Sequence, residues 1–139
     1  MDELLELRGV VEAPPEAVAA VLLDVRPGGR SPMAATGTAE PAGGDVFTVT
    51  RGGSKLTMAV DREALMVTVR GEWWYEGVTT VSSDERGALV TYRILNVAPG
   101  QRWAVRFVSR GPLNAAPANF AADLAALGTE LNCRAYPLD

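Results

Sequence analysis

Apolar and polar positions alternate along much of the chain up to residue 97, with the two-residue period of strands that bury one face. The alternation and the turn residues between its segments predict seven strands, at residues 4–12, 33–40, 45–51, 55–61, 65–74, 77–83 and 88–97. The connections between the last six are only a few residues long, which permits only antiparallel neighbours. These six strands are therefore predicted to form an antiparallel meander.

Two segments carry the period of a helix instead. Residues 16–25 follow a Pro-Pro pair and repeat apolar side chains at i, i+3, i+4 and i+7. A longer helix is predicted at residues 114–131, after a break at Gly111-Pro112 and with Asn114 as its cap. The apolar face of this second helix consists of Phe120, Leu124, Leu127 and Leu131.

Residues 102–110 fit two structures. Arg102, Arg106 and Arg110 share one stripe of a helix, where they would form a solvated face. Trp103, Val105 and Phe107 alternate as they would on a strand. The choice between helix and strand stays open here.

A sheet of seven strands must bury its apolar face, and residues 114–131 form the only long helix predicted. The predicted fold class is α+β, a helix-grip in which a curved seven-stranded antiparallel sheet wraps around a long C-terminal helix. We expect a single domain over residues 1–139. A cone of the nuclear-transport-factor type is the main alternative, but it needs a terminal strand after residue 110, where the pattern indicates a helix.

Two adjacent tryptophans end the fifth predicted strand, on which neighbouring side chains point to opposite faces. Its odd-numbered positions are apolar and its even-numbered ones mostly polar, so Trp73 is predicted to point inward and Trp74 outward. Gly71 withholds a side chain beside Trp73 and would leave room there. On the last strand, the same alternation directs Tyr92 and Asn96 inward, as polar groups on an apolar wall.

Composition limits the classes of function. The chain has 47% apolar and 22% charged residues, as ordinary folded domains do, and its net charge of −4 argues against a nucleic-acid partner. No apolar run approaches the ~20 residues that cross a bilayer. The start, MDELLELRG, has acids before its apolar residues and predicts no signal peptide, and the lone Cys133 demands no oxidising compartment. We therefore expect a cytoplasmic protein without an integral membrane segment.

The chain contains no histidine and only one cysteine. This excludes a Ser-His-Asp triad, a Cys-His pair, a histidine-ligated metal and a multi-cysteine zinc or iron–sulfur site. We expect no metal and no cofactor. Any catalysis would use carboxylates, tyrosine, arginine, lysine, serine or threonine.

Several segments carry a resemblance to a known superfamily. These are the opening strand followed by APPEAVAAVLLDV, the stretches GEWWYEGVTTV and TYRILNV, and the late helix FAADLAALGTEL. With them, nearly the whole chain resembles the START-like superfamily, also called SRPBCC, which includes birch-pollen-allergen-like and polyketide cyclase/dehydrase-like proteins. None of these segments is a catalytic motif, so the resemblance specifies the fold far better than the activity.

The resemblance implies a hydrophobic cavity between sheet and long helix, which family members use for lipids, polyketides, hormones or other apolar molecules. The predicted function is therefore the binding of a small hydrophobic or aromatic ligand, with a small apolar molecule as the partner. The residues predicted to bind it are Phe47, Met58, Trp73, Tyr92, Asn96 and Phe120.

Two other functions stay open, as does the oligomeric state. One is a cyclase- or dehydratase-type enzyme in which Tyr92 or a carboxylate transfers a proton near an enolisable ketone. Its catalytic residues are not identified, because Asp61, Glu72 and Glu76 are predicted to face outward or lie on turns. The other is a protein-interaction module whose cavity is filled by its own side chains and whose contact surface includes Trp74.

Overall fold

The computed structural model describes residues 2–26, 28–34, 38–43, 45–51 and 54–138. The elements are, in chain order, β1 (Asp2–Val11), α1 (Pro15–Leu22), β2 (Thr38–Gly43), β3 (Val46–Arg51), β4 (Ser54–Asp61), β5 (Met66–Arg70), β6 (Tyr75–Asp84) and β7 (Gly87–Asn96). A single 3-10 turn at Arg102–Ala104 then leads into α2 (Val105–Val108), α3 (Arg110–Leu131) and β8 (Ala135–Pro137).

The eight strands form one open antiparallel sheet in the order β2-β3-β4-β5-β6-β7-β1-β8. The first strand, β1, extends the meander by pairing with its last strand, β7, and Leu7 stands opposite Tyr92 in this pair. The short β8 pairs with the other side of β1. Seven of the strands correspond to the predicted ones, whereas β8 was not predicted, because three residues are too few to show a period.

The long helix α3 packs across the concave face of the sheet. Phe120, Leu124 and Leu127 are buried there, and the Phe120 ring stacks on the ring of Tyr92 with centroids 6.1 Å apart. Gly9 of β1 allows this close approach, since a Cβ at that position would collide with the side chain of Leu124. The helix α1 packs against the same core. The predicted helix-grip arrangement of the α+β class is therefore confirmed.

The start of α3 differs from the prediction. The helix begins at Arg110 and includes Gly111 and Pro112 in its first turn. Proline is tolerated there because the first backbone N–H groups of a helix have no partner within the helix. The predicted break at Gly111-Pro112 and the predicted cap at Asn114 are therefore wrong. Residues 102–110, which fitted either structure, are helical apart from the junction at Ser109.

The end of α3 depends on Asn132, which adopts the left-handed conformation with φ 53°. Its backbone N–H donates to the carbonyl oxygens of Gly128 and Thr129. Asparagine tolerates this conformation better than most residues, and it commonly ends helices in this way. The chain then turns back to form β8.

Two predicted strands have different bounds in the structure. The strand predicted at 65–74 ends at Arg70, and a turn follows in which the Gly71 N–H donates to the carbonyl oxygen of Tyr75 at 2.9 Å. The strand predicted at 33–40 overlaps β2 only at residues 38–40. Residues 35–37 of that predicted strand lie outside the described residues, as do Gly52 and Gly53 between β3 and β4.

Over the part of the chain that the structure describes, no helix is both long enough and apolar enough to cross a membrane.

Candidate functional site

A pocket of about 770 Å³ lies between the sheet and α3. Its floor is built from β3 to β7, and its opposite wall is the stretch of α3 from Pro112 to Leu127. Leu22 of α1 and the segment before β2 contribute the rest. The pocket lies where the START-like resemblance implies a cavity.

Strand register explains why the floor is apolar. Met58, Val69, Gly77 and Ile94 stand opposite one another across β4, β5, β6 and β7 and therefore share one face. Residues two positions away on the same strands belong to this face as well, because side chains on one face of a strand recur every second residue. The apolar side chains of the sheet that line the pocket are Val49, Leu56, Met58, Val69, Val90 and Ile94.

Four aromatic side chains line the pocket: Trp74, Tyr75, Tyr92 and Phe120. Trp74 meets Tyr75 edge to face, with centroids 5.5 Å apart and an interplanar angle of 89°. Tyr92 is hydrogen-bonded through its hydroxyl to the hydroxyl of Tyr75. Gly77 makes room for this pair, since a Cβ there would lie 2.5 Å from the Tyr75 hydroxyl oxygen and 3.1 Å from the Tyr92 ring.

The tyrosine pair is neutral at ordinary pH. Burial raises the pKa of Tyr92 far above its usual value, and the neighbouring Tyr75 and Asp123 raise it further. Burial also raises the pKa of Tyr75, and the hydrogen bond with Tyr92 offsets part of that effect. Each hydroxyl group brings one hydrogen atom, and their mutual bond uses only one of the two. The pair therefore keeps one O–H donor and free oxygen lone pairs for a bound molecule.

Among the described residues that line the pocket, Asp123 of α3 is the only one with a charged side chain. Burial raises its pKa, because removal from water disfavours the ionised form. Within the described residues, no ion pair and no hydrogen bond to its carboxylate offsets that effect. Its charge acts on Tyr92 across the pocket. Two tyrosine hydroxyls and one carboxyl group thus form the titratable set of the site.

Three of the six residues predicted to bind a ligand line this pocket: Met58, Tyr92 and Phe120. Phe47 stands opposite Met58 on the same face and packs against the core, but it does not line the pocket. Asn96 is buried at the end of β7, where its side-chain oxygen accepts a hydrogen bond from the Ala98 N–H at 3.0 Å. Asn96 therefore stabilises a turn.

The predicted orientation of the two tryptophans is wrong. Alternation holds as far as Val67 and Val69, both on the inner face, but the strand ends at Arg70 before it reaches Trp73. In the turn that follows, Trp74 lines the pocket, whereas Trp73 lies outside it and donates from Nε1 to the Gly100 carbonyl oxygen at 3.1 Å. Gly71 does not line the pocket either, so the room predicted beside it is not part of this site.

Asp123 and Tyr75 line the pocket but are not among the residues predicted from the sequence to bind a ligand. A signal for Asp123 was present, because residues 120, 123, 124 and 127 follow the i, i+3, i+4, i+7 spacing of one helical face. Only the apolar members of that stripe were assigned inward. Tyr75 gave no comparable signal, since its direction depends on where the turn at residues 71–74 ends and β6 begins.

The described residues contain no group of three or more His, Cys, Asp or Glu side chains placed to hold a metal ion.

The solved structures similar to this chain include the following two. A crystal structure of TTHA0849 from Thermus thermophilus is similar with a TM-score of 0.49 and 16% sequence identity, over 88% of this chain and 94% of that chain. A crystal structure of Ara h 8.0201 is similar with a TM-score of 0.42 and 14% identity, over 87% and 98% of the two chains. No protein-family model matches the chain, and no curated protein matches its sequence.

The architecture itself defines the class of fold. A strand and a short helix precede an antiparallel meander, and one long C-terminal helix packs on the concave face. This is an α+β helix-grip fold, as predicted from the sequence.

Proposed function

We propose that this protein binds a small hydrophobic or aromatic molecule in the pocket between the sheet and α3. The observation that carries the proposal is the pocket itself. Its volume of about 770 Å³ falls within the roughly 300–1,000 Å³ of small-molecule sites. Its lining is mostly apolar and aromatic, with a few convergent polar groups from Tyr75, Tyr92 and Asp123, which is the usual composition of such sites.

Adjacent tryptophans provide a matched test of this proposal. N-phenyl-1-naphthylamine, which is uncharged at neutral pH and fluoresces in apolar surroundings, should bind the native protein. Trp74→Ala should weaken binding about fivefold, because an aromatic contact contributes on the order of 1 kcal/mol. Trp73→Ala removes the same side chain one residue away, outside the pocket, and should change the dissociation constant less than about twofold.

Two results would count against the proposal. Equal effects of the two substitutions would place the dye outside the pocket. No binding of the dye, together with no co-purifying small molecule in native mass spectra, would favour the interaction module with a filled core.

A second candidate function is catalysis of enolisation on the same scaffold, and Asp123 is the observation that favours it. A carboxyl group with a raised pKa beside a neutral tyrosine pair is a suitable set for general acid–base chemistry. In this mechanism Asp123 takes a proton from the carbon next to a ketone. The free hydroxyl of the Tyr75–Tyr92 pair donates to the oxygen on which negative charge develops.

Hydrogen–deuterium exchange tests this second function. In D₂O, the protein should exchange the α-protons of 1-tetralone faster than buffer does, as followed by proton NMR. Tyr92→Phe should slow the exchange at least about tenfold, because general acid catalysis contributes roughly 10²–10⁴-fold. An exchange rate equal to that in buffer would eliminate this function and leave ligand binding.

A further inference from the structure

The pocket has an unbalanced charge. Among the described residues that line it, Asp123 is the only one with a charged side chain, and the other titratable groups there are Tyr75 and Tyr92. None of the arginine side chains of the described residues lines it. The ionised carboxylate therefore faces a mostly apolar pocket without a cation. Its partial removal from water costs free energy, which a positively charged ligand group would offset.

The aromatic lining suits a positive charge as well. Trp74, Tyr75, Tyr92 and Phe120 all contribute to the pocket walls. The face of an aromatic ring carries negative potential and attracts ammonium groups. The oxygen lone pairs of the Tyr75–Tyr92 pair can also accept N–H donors. The carboxylate, the aromatic rings and the hydroxyl oxygens thus all favour a positively charged nitrogen atom that carries N–H groups.

We infer that the ligand is an amphipathic amine, whose ammonium group pairs with Asp123 while its hydrocarbon or aromatic part packs against Met58, Val69 and Phe120. This inference rests on the proposed binding function and names the chemical class of the ligand. A neutral ligand would remove water from Asp123 and offer at most an uncharged hydrogen-bond donor in its place. An anionic ligand would add repulsion between like charges.

Three fluorescent probes of nearly equal shape test the inference. These are 2-(1-naphthyl)ethylamine, which is cationic at neutral pH, the neutral 2-(1-naphthyl)ethanol, and the anionic 1-naphthylacetate. The amine should bind about tenfold tighter than the alcohol, because its ammonium group makes a charge-assisted hydrogen bond to the carboxylate, whereas the alcohol makes only a weaker, uncharged one. The acetate should bind most weakly of the three.

Acidification gives opposite results for the amine and the alcohol. Bound ammonium stabilises the ionised form of Asp123, so the affinity for the amine should fall as the pH is lowered through the pKa of this carboxyl. The alcohol is better matched to the protonated form, so its affinity should rise over the same interval. Tyr75 and Tyr92 are the other titratable groups among the described residues that line the pocket, and both stay neutral throughout because burial raises their pKa values.

Two substitutions on α3 distinguish the effect of the pocket carboxylate on binding from the effect of removing any negative charge from the helix. Asp123→Asn should bring the ratio of amine affinity to alcohol affinity down to about one. Glu130→Gln removes an acid of the same helix outside the pocket, where Glu130 pairs with Arg30 at 2.7 Å, and should leave the ratio as it is in the native protein. Thermal unfolding of each variant shows whether it is folded.

The outcomes distinguish the inference from the function on which it rests. Equal affinity for amine and alcohol in the native protein, or an unchanged ratio in Asp123→Asn, overturns the amine inference and leaves the proposed function standing. If none of the three probes binds, the amine inference is overturned, and the binding of N-phenyl-1-naphthylamine still decides whether the proposed function stands.

Discussion

At the scale of one residue, Asp123 shows how an ionisable side chain in the pocket lowers the stability of the fold. Burial disfavours its ionised form, and its pKa in the folded protein lies above the value of the unfolded chain. The folded state therefore holds the proton more tightly, and stability falls as the pH rises from about 4 through the folded pKa. Below that interval both states are protonated and the cost vanishes. Uncompensated groups of this kind are typical of functional sites.

Asp123→Asn should consequently raise the thermal unfolding midpoint at pH 7 and leave it nearly unchanged at about pH 3, because the amide has no charge to desolvate. Calorimetry at both pH values measures the difference. Asp84→Asn is the control of opposite sign, since hydrogen bonds from Arg86 hold the pKa of Asp84 below its usual value. That substitution should not stabilise the protein at pH 7. A lower midpoint for Asp123→Asn at pH 7 would show that its carboxylate has a stabilising partner in the fold.

At the scale of elements, α3 performs two tasks along one face. Leu124 and Leu127 are each 1% exposed and close the core against the sheet. Asp123 and Phe120, on the same face, line the pocket, so the helix that stabilises the sheet also brings the titratable group to it. Gly9 sets the distance between β1 and the helix through its contact with Leu124.

Leu124→Ala should lower the free energy of unfolding by about 2–5 kcal/mol, because a buried side chain is lost and a cavity remains. Urea denaturation measures this change. Ala126→Ser, on the exposed side of the same helix, should stay within about 0.5 kcal/mol of the native protein. A cost for Leu124→Ala as small as that of the control would mean that α3 does not close the core.

At the scale of the whole molecule, aromatic side chains occur in two places with charges of opposite sign. In the pocket they accompany an acid, and on one part of the surface they accompany arginines. Trp103 is 71% exposed and Phe107 is 51% exposed on the helical segment after the sheet. The guanidinium groups of Arg106 and Arg110 lie 5.0 and 5.8 Å from the centre of the Phe107 ring, as in cation–π contacts. The exposed tryptophan is thus Trp103. The interaction module hypothesis loses its proposed surface, since Trp74 lines the pocket.

Much of the fold followed from local pattern. A two-residue period places Val67, Val69, Val90 and Tyr92 on one face of the sheet whatever the rest of the molecule does, because neighbouring side chains on a strand must point to opposite sides. Likewise, the 3.6-residue period marks the buried face of α3. Periodicity and short connections were therefore enough to predict the meander, its covering helix and half of the residues that were expected to line the pocket.

Tertiary structure decided what periodicity does not encode. The strand before the two tryptophans ends at Arg70, and backbone hydrogen bonds from Gly71 to Tyr75 and from Val97 to Trp74 determine which indole faces the pocket. The meeting of Asp123 with Tyr92 joins residues 31 positions apart in the sequence and depends on how α3 crosses the sheet. A pattern of apolar positions specifies which face is buried. The polar groups that come together in the pocket depend on strand ends and helix placement, which only long-range packing and hydrogen bonding determine.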